Sequence, residues 1–131
     1  MNDLKLLAEE KNIQNYVHFE GFCENVHEKI KDAEQFILSS DYEGMPNALM
    51  EAMMMGLPCI STKYSGAGDV IKDWIDGLLV PVGDVCSLAG AMDRLSGDIA
   101  LRKCLRRVAT LKFATKWEEL FVVDPQIPKI H

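Results

Sequence analysis

The fold of this chain is decided by the stretch QFILSSDYEGMPNALMEAMMMGLPCIST, residues 35–62. Two short apolar runs, 35–40 and 57–62, enclose a glycine- and proline-containing turn and then an apolar segment. Pro46 suits the first position of a helix, where its missing N–H leaves no bond unmade, and Gly56 is a typical residue just past a helix end. The stretch therefore predicts a strand–helix–strand unit with the helix over 46–55.

Strand-like and helical segments alternate on both sides of this unit. Apolar residues at helical spacing predict helices over 3–11 and 25–33. Further strands are predicted at YVHFEGF (16–22), which Gly21 ends, and at GLLVPV (77–82). A glycine turn that enters a short helix is predicted after residue 65. Asp84 and Asp98 are placed to cap two closing helices. In the first of these helices the predicted inward residues are Val85, Leu88, Ala89, Met92 and Leu95.

This alternation predicts an α/β fold, a Rossmann-like parallel sheet with helices on both faces. The four predicted strands are continuous apolar runs, as expected where helices cover both faces of a sheet. Four strands make an incomplete doubly wound sheet. In such sheets ligands bind beyond the carboxyl ends of the strands, and the strand at 35–40 leads directly into DYEGMP (41–46).

Length and composition indicate one soluble globular domain. The chain has 131 residues, of which 48% are hydrophobic, and no run reaches the roughly 20 apolar residues of a membrane span. The start of the chain does not resemble a signal peptide, so we expect a cytoplasmic protein, with the inner face of the membrane as an alternative. The net charge of −6 argues against a nucleic-acid surface.

The cysteines and histidines do not indicate a metal site. The four cysteines form no C-x-x-C pair, and the three histidines lack metal-ligand spacing. The cysteines are predicted to be buried or half-buried thiols in a reducing compartment; they are Cys23, Cys59, Cys86 and Cys104.

Two carboxylates bracket the start of the central helix. Glu51 stands in the otherwise apolar segment 48–55, and a helix that is apolar all round is typically buried. Glu51 would then either bond a neighbouring group or reach solvent at the helix edge, or it would accept hydrogen bonds from the vicinal hydroxyls of a ribose. Glu43 is either a solvated loop acid or a group that meets a sugar at the mouth of the sheet.

The turn between these acids predicts an anion site. Gly44 allows close approach of the backbone. The N–H groups of Asn47, Ala48 and Leu49 lie at the start of the helix, where they have no intrahelical acceptor. Such groups favour a phosphate, and a phosphate with an acid on each side matches the layout of a nucleoside diphosphate sugar.

The string FILSSDYEGMPNALMEAMMMGLPCIST (36–62) resembles the retaining glycosyltransferases of family 4, which have the GT-B fold. The E-x7-E motif of that family reads here Glu43-GMPNALM-Glu51, and the flanks at 17–22 and 65–84 agree in order and spacing. The resemblance runs from about Leu4 to about Ala114. Ala67 departs from it, because the family usually has a second glycine after Gly66.

The resemblance implies a role for each matching residue. Glu51 would bond the ribose hydroxyls of the donor, and Glu43 would be the catalytic residue next to the transferred sugar. The other implied donor-binding residues line the sugar, the phosphates and the base, and they are Gly44, Met45, Pro46, Asn47, Ala48, Leu49, Gly21 and Phe22. The family usually needs no metal ion, and its nucleotide sugar is a substrate, so the resemblance implies neither a metal nor a cofactor.

The resemblance also implies part of a larger enzyme. Residues 1–115 would form the nucleotide-sugar donor-binding domain without its first strands, and 116–131 an irregular tail. The implied activity is transfer of a hexose to an acceptor hydroxyl with retention, in capsule, lipopolysaccharide or other glycan synthesis, and the chain alone is expected to be inactive. The alternative is a non-catalytic assembly module that pairs with a separate acceptor-binding chain, or with a second copy, through an exposed sheet edge.

The last helix is predicted to have one apolar and one basic face. Leu101, Cys104, Leu105 and Val108 would point inward, and the basic residues outward; these are Arg102, Lys103, Arg106 and Arg107. The basic face is predicted to be solvated, with a contact to a membrane surface or an acceptor domain as the alternative.

Overall fold

The computed structural model describes residues 2–21, 24–40 and 47–120 of the chain. The helices are α1 (Asn2–Glu10), α2 (Val26–Ile30), α3 (Asn47–Met54), α4 (Val85–Gly97) and α5 (Ile99–Leu120). The strands are β1 (Phe36–Leu38), β2 (Cys59–Thr62) and β3 (Leu78–Val80), and two short 3-10 helices span Gln14–Tyr16 and Ala67–Asp69. Within these residues no helix is both long and apolar enough to cross a membrane.

The three strands form one parallel sheet in the order β1-β2-β3. Phe36 of β1 lies opposite Cys59 of β2, and Ser61 of β2 opposite Leu79 of β3. Because the strands are parallel, their carboxyl ends meet at one edge of the sheet. The chain leaves β1 at that edge and returns through α3 to β2, which confirms the predicted strand–helix–strand unit.

Helices cover both faces of the sheet, as predicted. On one face, Cys59 packs in a cluster with buried residues of α3 and with Ala109 of α5. On the other face, Ile60 packs with Leu95 of α4 and Leu105 of α5. Neighbouring residues of β2 thus point into different clusters, which explains why its sequence is a continuous apolar run.

The predicted strand at 16–22 is wrong over the residues that the structure describes. Gln14–Tyr16 form a 3-10 helix, and residues 17–20 pair with no strand. An extended segment becomes a strand only where a neighbour accepts and donates its backbone hydrogen bonds, and the described sheet ends at β1. The described sheet therefore has three strands instead of the four predicted.

The prediction of an irregular tail from residue 116 is also wrong for its first part, because α5 continues to Leu120. The segment after Asp98 contains no glycine or proline before Pro125, so nothing in the local sequence ends the helix earlier. Residues 121–131 lie outside the described part of the chain.

The apolar stripes of the two closing helices are narrower than predicted. Leu95 and Leu105 are fully buried, whereas Val85 remains 77% exposed and Cys104 is exposed. Only one row of side chains on each helix packs against the sheet. Apolar residues beside that row remain exposed to solvent, as is common on protein surfaces. Cys86 is exposed too, so only Cys59 among the described cysteines is buried as predicted.

Burial raises the pKa of the Cys59 thiol to about 12, and the negative charge of Asp76 adds to the effect. Because the thiolate is the reactive form, Cys59 should resist alkylation in the folded protein, while the exposed Cys86 and Cys104 react. Brief iodoacetamide treatment at pH 8 followed by peptide mass spectrometry measures this. Treatment in 6–8 M urea, roughly the range that unfolds small domains, is the control and should label Cys59 as well. Equal labelling of the three thiols in the folded protein would contradict the expectation.

An ion pair joins α5 to the segment before β3. Lys112 Nζ lies 2.8 Å from Asp76 Oδ2, and it also donates to the carbonyl of Val70. The second carboxylate oxygen of Asp76 accepts a 2.8 Å hydrogen bond from the Lys72 N–H. Asp76 is only 2% exposed, so this pair anchors the chain between the end of β2 and the start of β3 against the last helix.

Candidate functional site

The carboxyl edge of the sheet is held together by a side chain of β2. The Thr62 hydroxyl donates to the carbonyl of Ser40, and the carbonyl of Leu38 lies 3.4 Å from the same hydroxyl. This contact joins the end of β2 to the segment that leaves β1. It therefore fixes the residues that immediately precede the predicted turn at 41–46.

Helix α3 begins at Asn47, next to this edge, and it has two different faces. Leu49, Ala52 and Met53 are fully buried in the core. Ala48 and Glu51, three residues apart, lie on the exposed side of the helix. The expectation that a helix with so little polarity is buried all round is wrong, because α3 packs against the sheet and α5 on one side only.

Glu51 lies in the second turn of α3 and contacts α2. Its Oε2 lies 3.3 Å from Nε2 of His27, and both side chains are about half exposed, 52% and 58%. The Asn25 side chain caps α2 by accepting a 3.3 Å hydrogen bond from the Glu28 N–H, and this cap places His27 in the first turn. Glu51 thus both bonds a neighbour and faces solvent at the helix edge.

His27 is the residue of this site that sequence reasoning missed. It is 24 positions away from Glu51, and no local pattern links the two. One signal could have drawn attention to it. An isolated acid in an apolar helix needs a partner, and His27 lies in a neighbouring predicted helix.

The described residues offer hydrogen-bond donors at the start of α3 and an acceptor carboxylate in its second turn. Asn47, Ala48 and Leu49 are the first residues of α3, so their N–H groups have no intrahelical acceptor and lie at the positive end of the helix dipole. The half-exposed carboxylate of Glu51 accepts hydrogen bonds from O–H donors. The side chain of Leu49 belongs to the core, so only its backbone is available to a ligand.

Several residues of the predicted site lie outside the described part of the chain. They are Phe22, Glu43, Gly44, Met45 and Pro46. Gly21 is described, and it is exposed with a φ of +65°, a conformation that glycine adopts without strain. The role of Glu43 and its placement relative to Glu51 stay predictions.

A glycine turn follows β2 at the same edge. Gly66 has a φ of +95°, and Ala67 starts the 3-10 helix with its N–H bonded to the Tyr64 carbonyl at 3.0 Å. The predicted glycine turn entering a short helix is therefore confirmed. Ala67 is fully buried, so its methyl group occupies the protein interior and leaves the left-handed position to Gly66.

Comparison with known proteins identifies the chain's relatives. The family model described as "Glycosyl transferases group 1" matches residues 2–111. The chain is 29% identical to a UDP-Gal:alpha-D-GlcNAc-diphosphoundecaprenol alpha-1,3-galactosyltransferase of Escherichia coli, over 93% of this chain and 34% of that protein. It is 37% identical to the amylovoran biosynthesis glycosyltransferase AmsK of Erwinia amylovora, over 71% of this chain and 25% of that protein.

Solved structures show the same fold. The crystal structure of Anabaena HepE in complex with UDP superposes with a TM-score of 0.83, at 20% identity, over 87% of this chain and 32% of that one. The chain thus spans about a quarter to a third of the length of these proteins.

Proposed function

Because the chain belongs to the group 1 glycosyl transferases, we propose that it binds the nucleoside diphosphate sugar donor of a hexosyl transfer at the carboxyl edge of its sheet. The observation that carries this proposal is the half-exposed carboxylate of Glu51, held by His27 on the helix that starts at that edge. A core position would bury this acid, whereas here it stays half exposed in the second turn of α3, where a ligand at the start of the helix can reach it.

In this proposal each part of the site meets one part of the donor. Glu51 accepts hydrogen bonds from the ribose hydroxyls, and the N–H groups of Ala48 and Leu49 bind the diphosphate. Glu43 meets the transferred sugar, and the backbone at Gly21 borders the base. The UDP complex of HepE, which shares the fold, supports a uridine nucleotide as the first ligand to test.

Catalysis of the proposed transfer would depend mainly on stabilising the negative charge of the departing diphosphate. Negative charge that develops there is stabilised by N–H groups fixed in advance at the start of α3. We further propose that the transfer proceeds with retention, that its acceptor belongs to polysaccharide or lipopolysaccharide synthesis, and that the chain alone does not complete turnover. The names of the relatives support the acceptor class.

Thermal unfolding in the presence of UDP, GDP and ADP, each alone, tests donor binding. A ligand that binds only the folded state adds about 2.7 kcal/mol of stability at 100 times its dissociation constant. We expect one nucleotide to raise the unfolding midpoint, and Glu51→Gln to remove most of that increase. The matched control is Glu9→Gln on α1, an exposed acid to which the proposal assigns no donor contact, which should leave the increase unchanged.

Two results would contradict the proposal. One is that none of the nucleotides, with or without its sugar, raises the midpoint. The other is an increase that survives Glu51→Gln, since the nucleotide would then bind elsewhere.

The open edge of β1 favours one alternative function. Within the described residues β1 pairs with β2 on one side only, and unpaired strand edges bind strands of other chains. A module that completes its sheet with a separate chain would elute from size-exclusion chromatography as a complex or as a concentration-dependent dimer. A monomer at all concentrations that binds a nucleotide would favour the donor-binding function.

A further inference from the structure

A basic groove lies at the amino edge of the sheet, opposite the candidate donor site. Its floor is formed by residues 33–34, which precede β1, and residues 57–58, which precede β2. Its wall is formed by the first turns of α5. The groove has a volume of about 270 Å³. Four cationic side chains line it, with Glu34 as the one carboxylate among the lining residues; the cations are Lys31, Arg102, Lys103 and Arg106.

Carboxylates of the described protein balance only part of this positive charge. Lys31 pairs with Glu28, with 2.9 Å between Nζ and Oε2. Arg102 is half buried, and its Nη1 donates to the carbonyls of Leu95 and Ser96 at 2.8 and 3.0 Å. In the described part of the chain no carboxylate lies within ion-pair distance of Lys103 or Arg106. The groove is therefore locally basic in a chain whose net charge is −6.

Capping of a helix end explains Arg102, which binds carbonyls in the last turn of α4, but it does not explain Arg106. Arg106 packs over Gly56 just past the end of α3, so that a Cβ at residue 56 would lie 3.0 Å from the arginine Nε. The end of α3 is already closed by backbone, because Gly56 N–H donates to the Met53 carbonyl and Leu57 N–H to the Ala52 carbonyl, each at 3.0 Å. The dipole of α3 contributes only about half a negative charge at this end.

We propose that this groove is a second anion site, which binds the phosphoryl groups of a phosphate monoester or diphosphate. Arg102 is fixed by two carbonyls and forms a rigid side of the groove, while Lys103 and Arg106 supply the unpaired charge. Guanidinium groups suit phosphate oxygens because their N–H donors match them in pairs. The groove opens at the edge of the sheet away from α3's first turn, so its ligand is distinct from a donor at the carboxyl edge.

Titration of the protein with inorganic pyrophosphate by isothermal calorimetry tests this site. Arg106→Gln and Lys103→Gln should each weaken binding about tenfold, the effect of losing one charge-assisted hydrogen bond. Arg107→Gln is the matched control, since Arg107 is the adjacent exposed arginine of α5 but does not line the groove. It should change the affinity less than twofold. The thermal unfolding midpoint of each variant shows whether the fold is kept. Because Lys103 and Arg106 are substituted separately, a loss of pyrophosphate binding in both variants cannot be due to misfolding of one of them.

Vesicles distinguish a soluble ligand from a lipid headgroup. Co-sedimentation with vesicles of phosphatidylglycerol and phosphatidylcholine, lost in the same two variants and retained in Arg107→Gln, would assign the site to a lipid phosphate. If the protein binds pyrophosphate but not vesicles, and the two groove variants lose pyrophosphate binding while Arg107→Gln keeps it, the site would be assigned to a soluble ligand. The proposal is overturned if neither probe binds, or if all three variants weaken binding equally, because the effect would then be that of general surface charge.

Discussion

Lys112→Met should lower the free energy of unfolding by about 3 kcal/mol, because it leaves the buried Asp76 carboxylate without its cation. Removing one partner of a buried ion pair costs about 3–5 kcal/mol. Lys112 keeps 18% of its side chain exposed and Asp76 only 2%, so the lower end of that range applies. The substituted methionine retains most of the aliphatic packing and removes the charge and the bond to the Val70 carbonyl.

Urea unfolding followed by circular dichroism measures this difference. The control is Lys103→Met on the same helix, where the lysine is exposed and in no described ion pair, and the expected change is within about 0.5 kcal/mol. Adding Asp76→Asn to Lys112→Met removes the stranded charge and should recover part of the loss. Equal stability of Lys112→Met and the wild type would show that the pair does not anchor the segment before β3.

Leu105→Ala should cost about 2–5 kcal/mol, the usual range for truncating a fully buried leucine. Leu105 has no exposed surface and packs with Ile60 of the sheet and Leu95 of α4. The truncation leaves a cavity where three elements meet, and the sheet limits how far they can close it. The same urea measurement applies.

Leu111→Ala provides the matched control for this prediction. It removes the same atoms from the same helix, but Leu111 is 60% exposed, so we expect a loss below about 1 kcal/mol. Similar losses in the two variants would mean that α5 does not pack against the sheet through Leu105.

Features that depend on neighbouring residues along the chain were predictable from sequence. Asp84 accepts the Ser87 N–H at 2.9 Å and Asp98 accepts the Leu101 N–H at 2.9 Å, so both predicted helix caps are confirmed. The bond from the Ser87 backbone also holds the pKa of Asp84 below its usual value. The turn at Gly66 and the end of α3 at Gly56 follow from the same kind of local signal, since both glycines adopt positive φ.

The candidate site was predictable only in part. Glu51 was singled out because an acid in an apolar helix needs a partner or solvent, and the structure provides both. The strand at 16–22 could not be judged from its own residues, because an extended apolar run becomes a strand only if another strand lies beside it. The exposure of Ala48 and Glu51 likewise depends on which side of α3 faces the core.

The sequence by itself determined the α/β class, the central strand–helix–strand unit and the acid at its edge, because periodicity, caps and turn residues act over a few positions. Only the tertiary structure decided which residues distant in sequence contact each other. His27 meets Glu51 across 24 positions, Lys112 meets Asp76 across 36, and the basic groove forms where the segments before two strands meet α5. These contacts depend on how the helices dock on the sheet, and docking is set by the packing of the whole core rather than by any local pattern.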